Sequence, residues 1–426
     1  MEKLLIEGGV RLEGEIHASG SKNAALPILA ACVLTDEPIT LHRIPRVRDI
    51  RTMEKLMSHV GVRMMKEPNG PHRIQCENLN EPTAPYDLVK TMRASSLVLG
   101  PLVARCGRAR VSMPGGCAIG ARPINLHVLA LEQLGAKIHQ EHGYIEAVAP
   151  NGLKGGEVRF DRITVTGTED VLMAATLAHG ETVIDNAARE PEVVDLANML
   201  VKMGAKIEGA GTSTIRVQGV SKLHGVEHEI IADRIETGTY MIAGAITGGE
   251  IVVSGCVPEH VAALTAKMRE AGIDVQEESP TSVRVRGDGT LRAVDVRTEE
   301  HPGFATDLQA QFMALMTRAD GISFITETIF ENRFMHVQEL VRMGANIRIE
   351  GRQAIVAGNR NLTGAQVIAS DLRASASLVL AALAARGETV VDRVYHIDRG
   401  YENIEGKLSR VGARIRRIDD NHEFTS

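Results

Sequence analysis

Apolar residues recur along this chain at helical spacing, and the pattern itself repeats. Val193, Leu196, Ala197, Leu200 and Val201 fall on one helix face, as do Val261, Leu264 and Met268, and Val337, Leu340 and Val341. Helices of this kind run into a glycine and then a strand: Gly61-Val62, Gly135-Ala136-Lys137, Gly204-Ala205-Lys206, Gly272-Ile273-Asp274, Gly344-Ala345-Asn346 and Gly412-Ala413-Arg414. Glycine there takes the left-handed backbone that stops a helix. The spacing defines a unit of roughly 70 residues, present six times, the kind of period that marks a repeat architecture. An earlier, alanine-rich helix precedes a strand within the unit. Ala374–Ala385 leads to Gly387-Glu-Thr-Val-Val, and Val171–Ala178 leads to Gly180-Glu-Thr-Val-Ile. Two helices alternating with strands predict α/β layering. Pro191 and Pro258 stand at helix starts, where the missing N–H costs nothing.

At 426 residues the chain exceeds one ordinary core, so six repeats divide into two domains of three. No Pro/Ser-rich linker separates them, and the crossing is expected near Glu229–Arg234. The expected domains are 22–229, and 1–21 joined with 230–426, with strand Lys3–Ile6 pairing with the far end of the chain. The balance of 48 basic and 54 acidic residues carries no nucleic-acid footprint. The apolar run Ala24–Leu34 is broken by Pro27 and is too short for a bilayer, and no leader opens the sequence, so no membrane partner is expected. With no Trp, the core falls to Leu, Ile, Val, Ala and Met. Five cysteines without a CxxC pair suit free thiols in a reducing cytoplasm.

Aligning the repeats exposes a register of charge. Arg93, Asp307 and Arg373 each precede a glycine (Gly107, Gly321, Gly387) by fourteen residues, and Lys22-Asn23 takes that place in the first repeat. All fall at the start of the alanine-rich helix. A helix start is already electropositive, so a cation there is unfavourable until an anion arrives, which makes a phosphate or carboxylate site. Arg333 and Arg399 each follow Gly321 and Gly387 by twelve residues. Asp307, the one acid in the register, is a candidate general base. Local ion pairing on surface helices is the competing explanation for each cation taken singly. A second feature is the loop Val111–His127, where Cys117 lies among Pro114, Gly115, Gly116, Gly120 and Pro123. Arg122, five residues on, would favour a reactive thiolate; an incidental cysteine on a surface loop is the alternative. His224-Gly-Val-Glu-His228 matches a zinc-peptidase string, but Gly225 reads as loop and strand, so no metal is expected. No Walker A string or strand-linked GxGxxG occurs.

Five segments together resemble the enolpyruvyl transferases, and the resemblance runs the length of the chain. They are Ser19-Gly-Ser-Lys-Asn-Ala-Ala-Leu-Pro, Met113-Pro-Gly-Gly-Cys-Ala-Ile-Gly-Ala-Arg-Pro, Asn186-Ala-Ala-Arg-Glu-Pro-Glu, Thr306-Asp-Leu-Gln-Ala-Gln and Asp371-Leu-Arg-Ala-Ser-Ala. The resemblance implies two similar domains, each an inside-out α/β barrel of three repeats, with the active site between them. It implies transfer of the enolpyruvyl group of phosphoenolpyruvate to the 3-hydroxyl of UDP-N-acetylglucosamine with release of phosphate, the first committed step of peptidoglycan synthesis, without cofactor or metal. By the same resemblance Lys22, Arg122 and Arg399 clamp the phosphate, and Arg333 and Arg373 meet the carboxylate. Arg93 and Asn23 line the cleft. Cys117 is the catalytic thiol, a general acid whose sulfur could also add to C2, and Asp307 stands by the sugar 3-hydroxyl. Arg122, Pro123, Ile124, Asn125 and Leu126 form the loop at the uridine end, with Thr164 and Val165 near it and Ile329 against the sugar. Asn125 stands where the family pattern has aspartate, and Thr166 where it has a smaller residue. A shikimate 3-phosphate transferase would need no Cys-bearing loop. A non-catalytic sugar-nucleotide-binding paralogue would have lost Cys117 or Asp307.

Overall fold

The computed structural model describes residues 2–67, 70–79, 81–90, 92–113, 124–358 and 361–419. Cys117, Arg122 and Pro123 lie outside them. The described residues form two compact units, one of 2–19 with 232–419, the other of 20–113 with 124–231.

Among the described residues there are six four-stranded sheets, three in each unit, all with one strand order. In the simplest, Thr83–Ala84 lies parallel to Arg108–Ser112, which pairs antiparallel with Tyr144–Val148, itself paired with Lys137–Glu141. A parallel neighbour demands a crossover, and the alanine-rich helix supplies it. Three sheets borrow a strand from elsewhere in the sequence. Lys3–Glu7 inserts between Glu388–Asp392 and Arg414–Ile418, with Leu5 opposite both Val390 and Arg416, so the N-terminal strand does pair with the far end of the chain. Glu13–His17 lies beside Glu250–Ser254, and Glu227–Glu229 beside Ile39–His42.

The layering is helices inside, sheets outside. In one unit Arg234–Ile246, Gln309–Met316 and Leu372–Ala384 pack on one another and are buried nearly all round. In the other, Lys22–Ala31, Leu99–Cys106 and Val165–Ala175 take that place. Alanine and glycine allow the approach: a Cβ on Gly100 would come within 2.4 Å of the Asp170 carbonyl oxygen. The strands alternate instead, as in Ser282–Arg286, where Val283 and Val285 are the buried pair. The six glycines read as helix stops have φ between 88° and 109°.

Two details differ from expectation. Val201 and Val341 are exposed, although read as part of the buried stripe. Each stands one residue, or about 100° of helix, beyond the last core contact, Leu200 or Leu340. Helix Val165–Ala175 begins before the alanine-rich stretch, because its polar residues Thr168, Glu169 and Asp170 are buried too. The 224–228 string forms no helix: its end is the strand Glu227–Glu229, and buried His228 points Nε2 at Asp195 Oδ1, 3.0 Å away. No helix among the described residues is long and apolar enough to cross a membrane.

Candidate active site

Asp307 opens the turn-and-helix segment Thr306–Met316, and Arg373 opens helix Leu372–Ala384. Their side chains meet, with Arg373 Nη2 2.9 Å from Asp307 Oδ2. Arg333 joins them, its Nη2 2.8 Å from Asp307 Oδ1 and its Nη1 donating to Thr306 Oγ1 at 3.1 Å. Arg373 is 4% exposed and Arg333 7%. Buried guanidiniums need compensation, and Asp307 supplies it to both. Burial works to lower the Arg373 pKa; the charge of Asp307, with Tyr401, Asp233 and the hydrogen bond to Asp307 added, more than reverses this, and the guanidinium stays charged. Arg373 is tolerated at a helix start because Asp371 caps it, Oδ1 accepting from the Arg373 and Ala374 amides at 2.9 and 3.0 Å.

The surroundings of this triad were not read from sequence. Glu327, buried at a strand end, accepts from Thr298 Oγ1, Thr306 Oγ1 and the amides of Ile329 and Phe330, all within 3.2 Å. It thereby ties the Asp307 turn to the segment carrying Ile329 and Arg333. Nothing in its sequence neighbourhood marks it. His336 is buried nearby; burial lowers its pKa to about 4, with Asp371 opposing and Arg333 adding to the effect. Arg399 ends the turn Val394–Arg399, half-buried.

The other unit holds the remaining described candidates. Lys22 and Asn23 form the first turn of Lys22–Ala31, capped by Ser21 Oγ on the Ala24 amide. Lys22 Nζ lies 3.1 Å from Asp49 Oδ2, both nearly buried. The anions that the sequence argument required at Lys22 and Arg373 are thus already present in the chain. Arg93 begins Arg93–Val98. Thr164 caps Val165–Ala175, Oγ1 accepting from the Gly167 amide at 3.2 Å. Ile124 is buried, Leu126 half-buried and Asn125 exposed at the start of Asn125–Gln133, which packs on Val165–Ala175. His127, next in that turn, is buried, and burial with the Arg93 charge lowers its pKa to about 4. It adjoins the Arg122–Leu126 segment, a signal that sequence reasoning passed over. Glu169 is buried as well, its pKa raised by burial and then by Glu192, Glu190 and Asp170.

A pair of guanidiniums suits carboxylates in general. Two planar forks already grip one carboxylate, and a substrate carboxylate has the same shape and charge.

A family model for EPSP synthase (3-phosphoshikimate 1-carboxyvinyltransferase) matches residues 6–408. The chain is 71% identical to a UDP-N-acetylglucosamine 1-carboxyvinyltransferase of Solibacter usitatus, over 98% of this chain and all of that protein. It is 62% identical to the protein so named from Koribacter versatilis, over 99% of this chain and 97% of the other. Among solved structures it resembles the enolpyruvyl transferase NikO from Streptomyces tendae (TM-score 0.87, 24% identity, 98% of each chain). It also resembles an EPSP synthase from Acinetobacter baumannii (TM-score 0.77, 16% identity, 98% of this chain and 100% of the other), a likeness of fold. The chain belongs to the EPSP synthase family of enolpyruvyl transferases.

Proposed function

We propose that this enolpyruvyl transferase carries the enolpyruvyl group of phosphoenolpyruvate to the 3-hydroxyl of UDP-N-acetylglucosamine and releases phosphate. The observation that carries the reading is Asp307 held between Arg333 and Arg373. The acceptor follows from the relatives that match end to end. The family model's own name would favour shikimate 3-phosphate, but the EPSP synthase structure shares only 16% identity.

Phosphoenolpyruvate brings a phosphate of about −1.5 to −2 charge and a carboxylate. Arg333 and Arg373 take the carboxylate; Lys22, Arg122 and Arg399 take the phosphate. As the substrate carboxylate enters the two forks it loosens their hold on Asp307. The base is then released when there is a hydroxyl to deprotonate. Cys117 delivers a proton to C3, the sugar oxygen adds to C2, and Asp307 accepts the hydroxyl proton. The tetrahedral intermediate then returns a C3 proton to the Cys117 thiolate and expels its phosphate, which takes the proton held by Asp307, leaving the enol ether and inorganic phosphate. Arg93, Asn23, Ile124, Asn125, Leu126, Thr164, Val165 and Ile329 hold the sugar nucleotide. No step calls for a metal or cofactor. The described cysteines Cys32, Cys76, Cys106 and Cys256 are free thiols, in keeping with a reducing compartment. We place the enzyme in the cytoplasm, at the start of cell-wall polymer synthesis.

The test is the product. Incubation with both substrates should yield the 3-O-enolpyruvyl sugar nucleotide, with phosphate released in step; an unaltered sugar nucleotide sinks the reading.

A further inference from the structure

We infer that Tyr401 is a positioning residue for the transfer, a link in a directional hydrogen-bond chain that aims the Arg373 guanidinium at Asp307. The inference rests on the roles proposed above for those two residues.

Direction follows from counting hydrogens. Thr239 Oγ1, on helix Arg234–Ile246, donates its proton to the Ile235 carbonyl at 2.8 Å. The contact of 2.9 Å between Thr239 Oγ1 and the Tyr401 hydroxyl therefore has Tyr401 as donor. With its proton committed, the phenol oxygen presents lone pairs to Gln311 Nε2 at 3.3 Å and to Arg373 Nη1 at 3.5 Å. The Arg373 guanidinium carbon also lies 5.7 Å from the Tyr401 ring centroid. Gln311 Nε2 in turn donates to the Asp307 carbonyl at 2.8 Å. One phenol oxygen thus touches the guanidinium and the amide that anchors the backbone of its carboxylate partner. Tyr401 is buried, and burial raises its pKa, with Arg373 opposing, so the hydroxyl keeps its proton. Without that oxygen, Nη1 is left in a buried place short of an acceptor, and the fork can turn about its bond to Asp307.

The experiment compares Tyr401→Phe, Thr239→Val, Thr239→Ser and the Tyr401→Phe/Thr239→Val double variant with wild type. The readouts are phosphate-release kinetics, UDP-N-acetylglucosamine titration and thermal melting. Tyr401→Phe should raise KM for phosphoenolpyruvate about tenfold, the low end for a hydrogen bond to a charged group, with sugar-nucleotide affinity unchanged. Thr239→Val should move the same constant in the same direction, Thr239→Ser should restore it, and the double variant should be no worse than Tyr401→Phe. Wild-type KM in Tyr401→Phe, or fully additive losses in the double variant, overturns the inference. If Tyr401→Phe does not fold, the Thr239 pair decides: equal KM in the Val and Ser variants overturns it, and a difference supports it. A wild-type protein inactive with UDP-N-acetylglucosamine overturns the functional reading and this inference together.

Discussion

Asp307 Oδ2 and Arg373 Nη2 lie 2.9 Å apart, although the two residues open different repeats 66 positions apart in sequence. Both stand fourteen residues before a helix-stopping glycine. The repeat therefore delivers a carboxylate and a guanidinium to equivalent helix starts, and the packing of those helices brings them together. Asp371 already caps the Arg373 helix, and the guanidinium, which has no acceptor to offer a helix start, is turned to a carboxylate, here that of Asp307.

Arg373→Ala tests that arrangement. Loss of a charge-assisted bond of about 1.5–3 kcal/mol should reduce kcat/KM for phosphoenolpyruvate by roughly 10- to 150-fold. The sugar-nucleotide titration should stay unchanged, and melting should remain cooperative, since Asp307 keeps Arg333. Steady-state kinetics in phosphoenolpyruvate check it; unaltered kinetics would make the matched cations incidental.

Asp307→Asn keeps the shape of the side chain and removes its basicity. Loss of a general base is expected to lower kcat by about 10²- to 10⁴-fold, with UDP-N-acetylglucosamine still bound. Single-turnover phosphate release measures it, and a rate within twofold of wild type excludes Asp307 as the base.

What the sequence disclosed, and what it withheld, divide along a physical line. The glycine stops, the alanine-rich helices and the charge register are local or periodic; the repeated α/β layering follows from them, and the register puts Asp307 and Arg373 at equivalent helix starts. Glu327, Gln311 and Tyr401 have no periodic mark. Part of their hydrogen bonding reaches residues far off in sequence, as Tyr401 does to Thr239 across 162 positions. His127 was hidden differently: a histidine in an amphipathic turn gives no sign that it is wholly buried. The polar start of Val165–Ala175 was missed because hydropathy cannot register buried Thr168, Glu169 and Asp170.

His336 gives a pH dependence of defined sign. Its folded pKa is lowered to about 4 from 6.5, so the unfolded chain takes up the proton first on acidification. Its contribution is present above pH 6.5 and is lost as pH falls toward 4, on the order of 3 kcal/mol at most. Denaturant titrations of wild type and His336→Gln should show a stability gap that narrows from pH 7 to pH 4.5. A gap independent of pH contradicts the assignment.

Asp170 works in the opposite sense. Burial raises its pKa well above normal, with the Gly100 amide opposing. The unfolded chain loses the proton first as pH rises, so stability falls above the ordinary carboxylate range. Asp170→Asn retains the Oδ1 acceptor for the Gly100 amide, 2.8 Å away. It should raise Tm by about 2–4 °C at pH 8, equivalent to about 1 kcal/mol in a unit of this size, and by less at pH 4.5. Calorimetry at the two pH values checks it; a Tm lowered equally at both would show that the charge is no burden.

The Asp307–Arg333–Arg373 cluster is proposed to serve transfer to a sugar nucleotide. The direct measurement is phosphate release from phosphoenolpyruvate with UDP-N-acetylglucosamine, with shikimate 3-phosphate, and with no acceptor. Release is expected with UDP-N-acetylglucosamine alone; turnover with shikimate 3-phosphate, or none with the sugar nucleotide, overturns the proposed function.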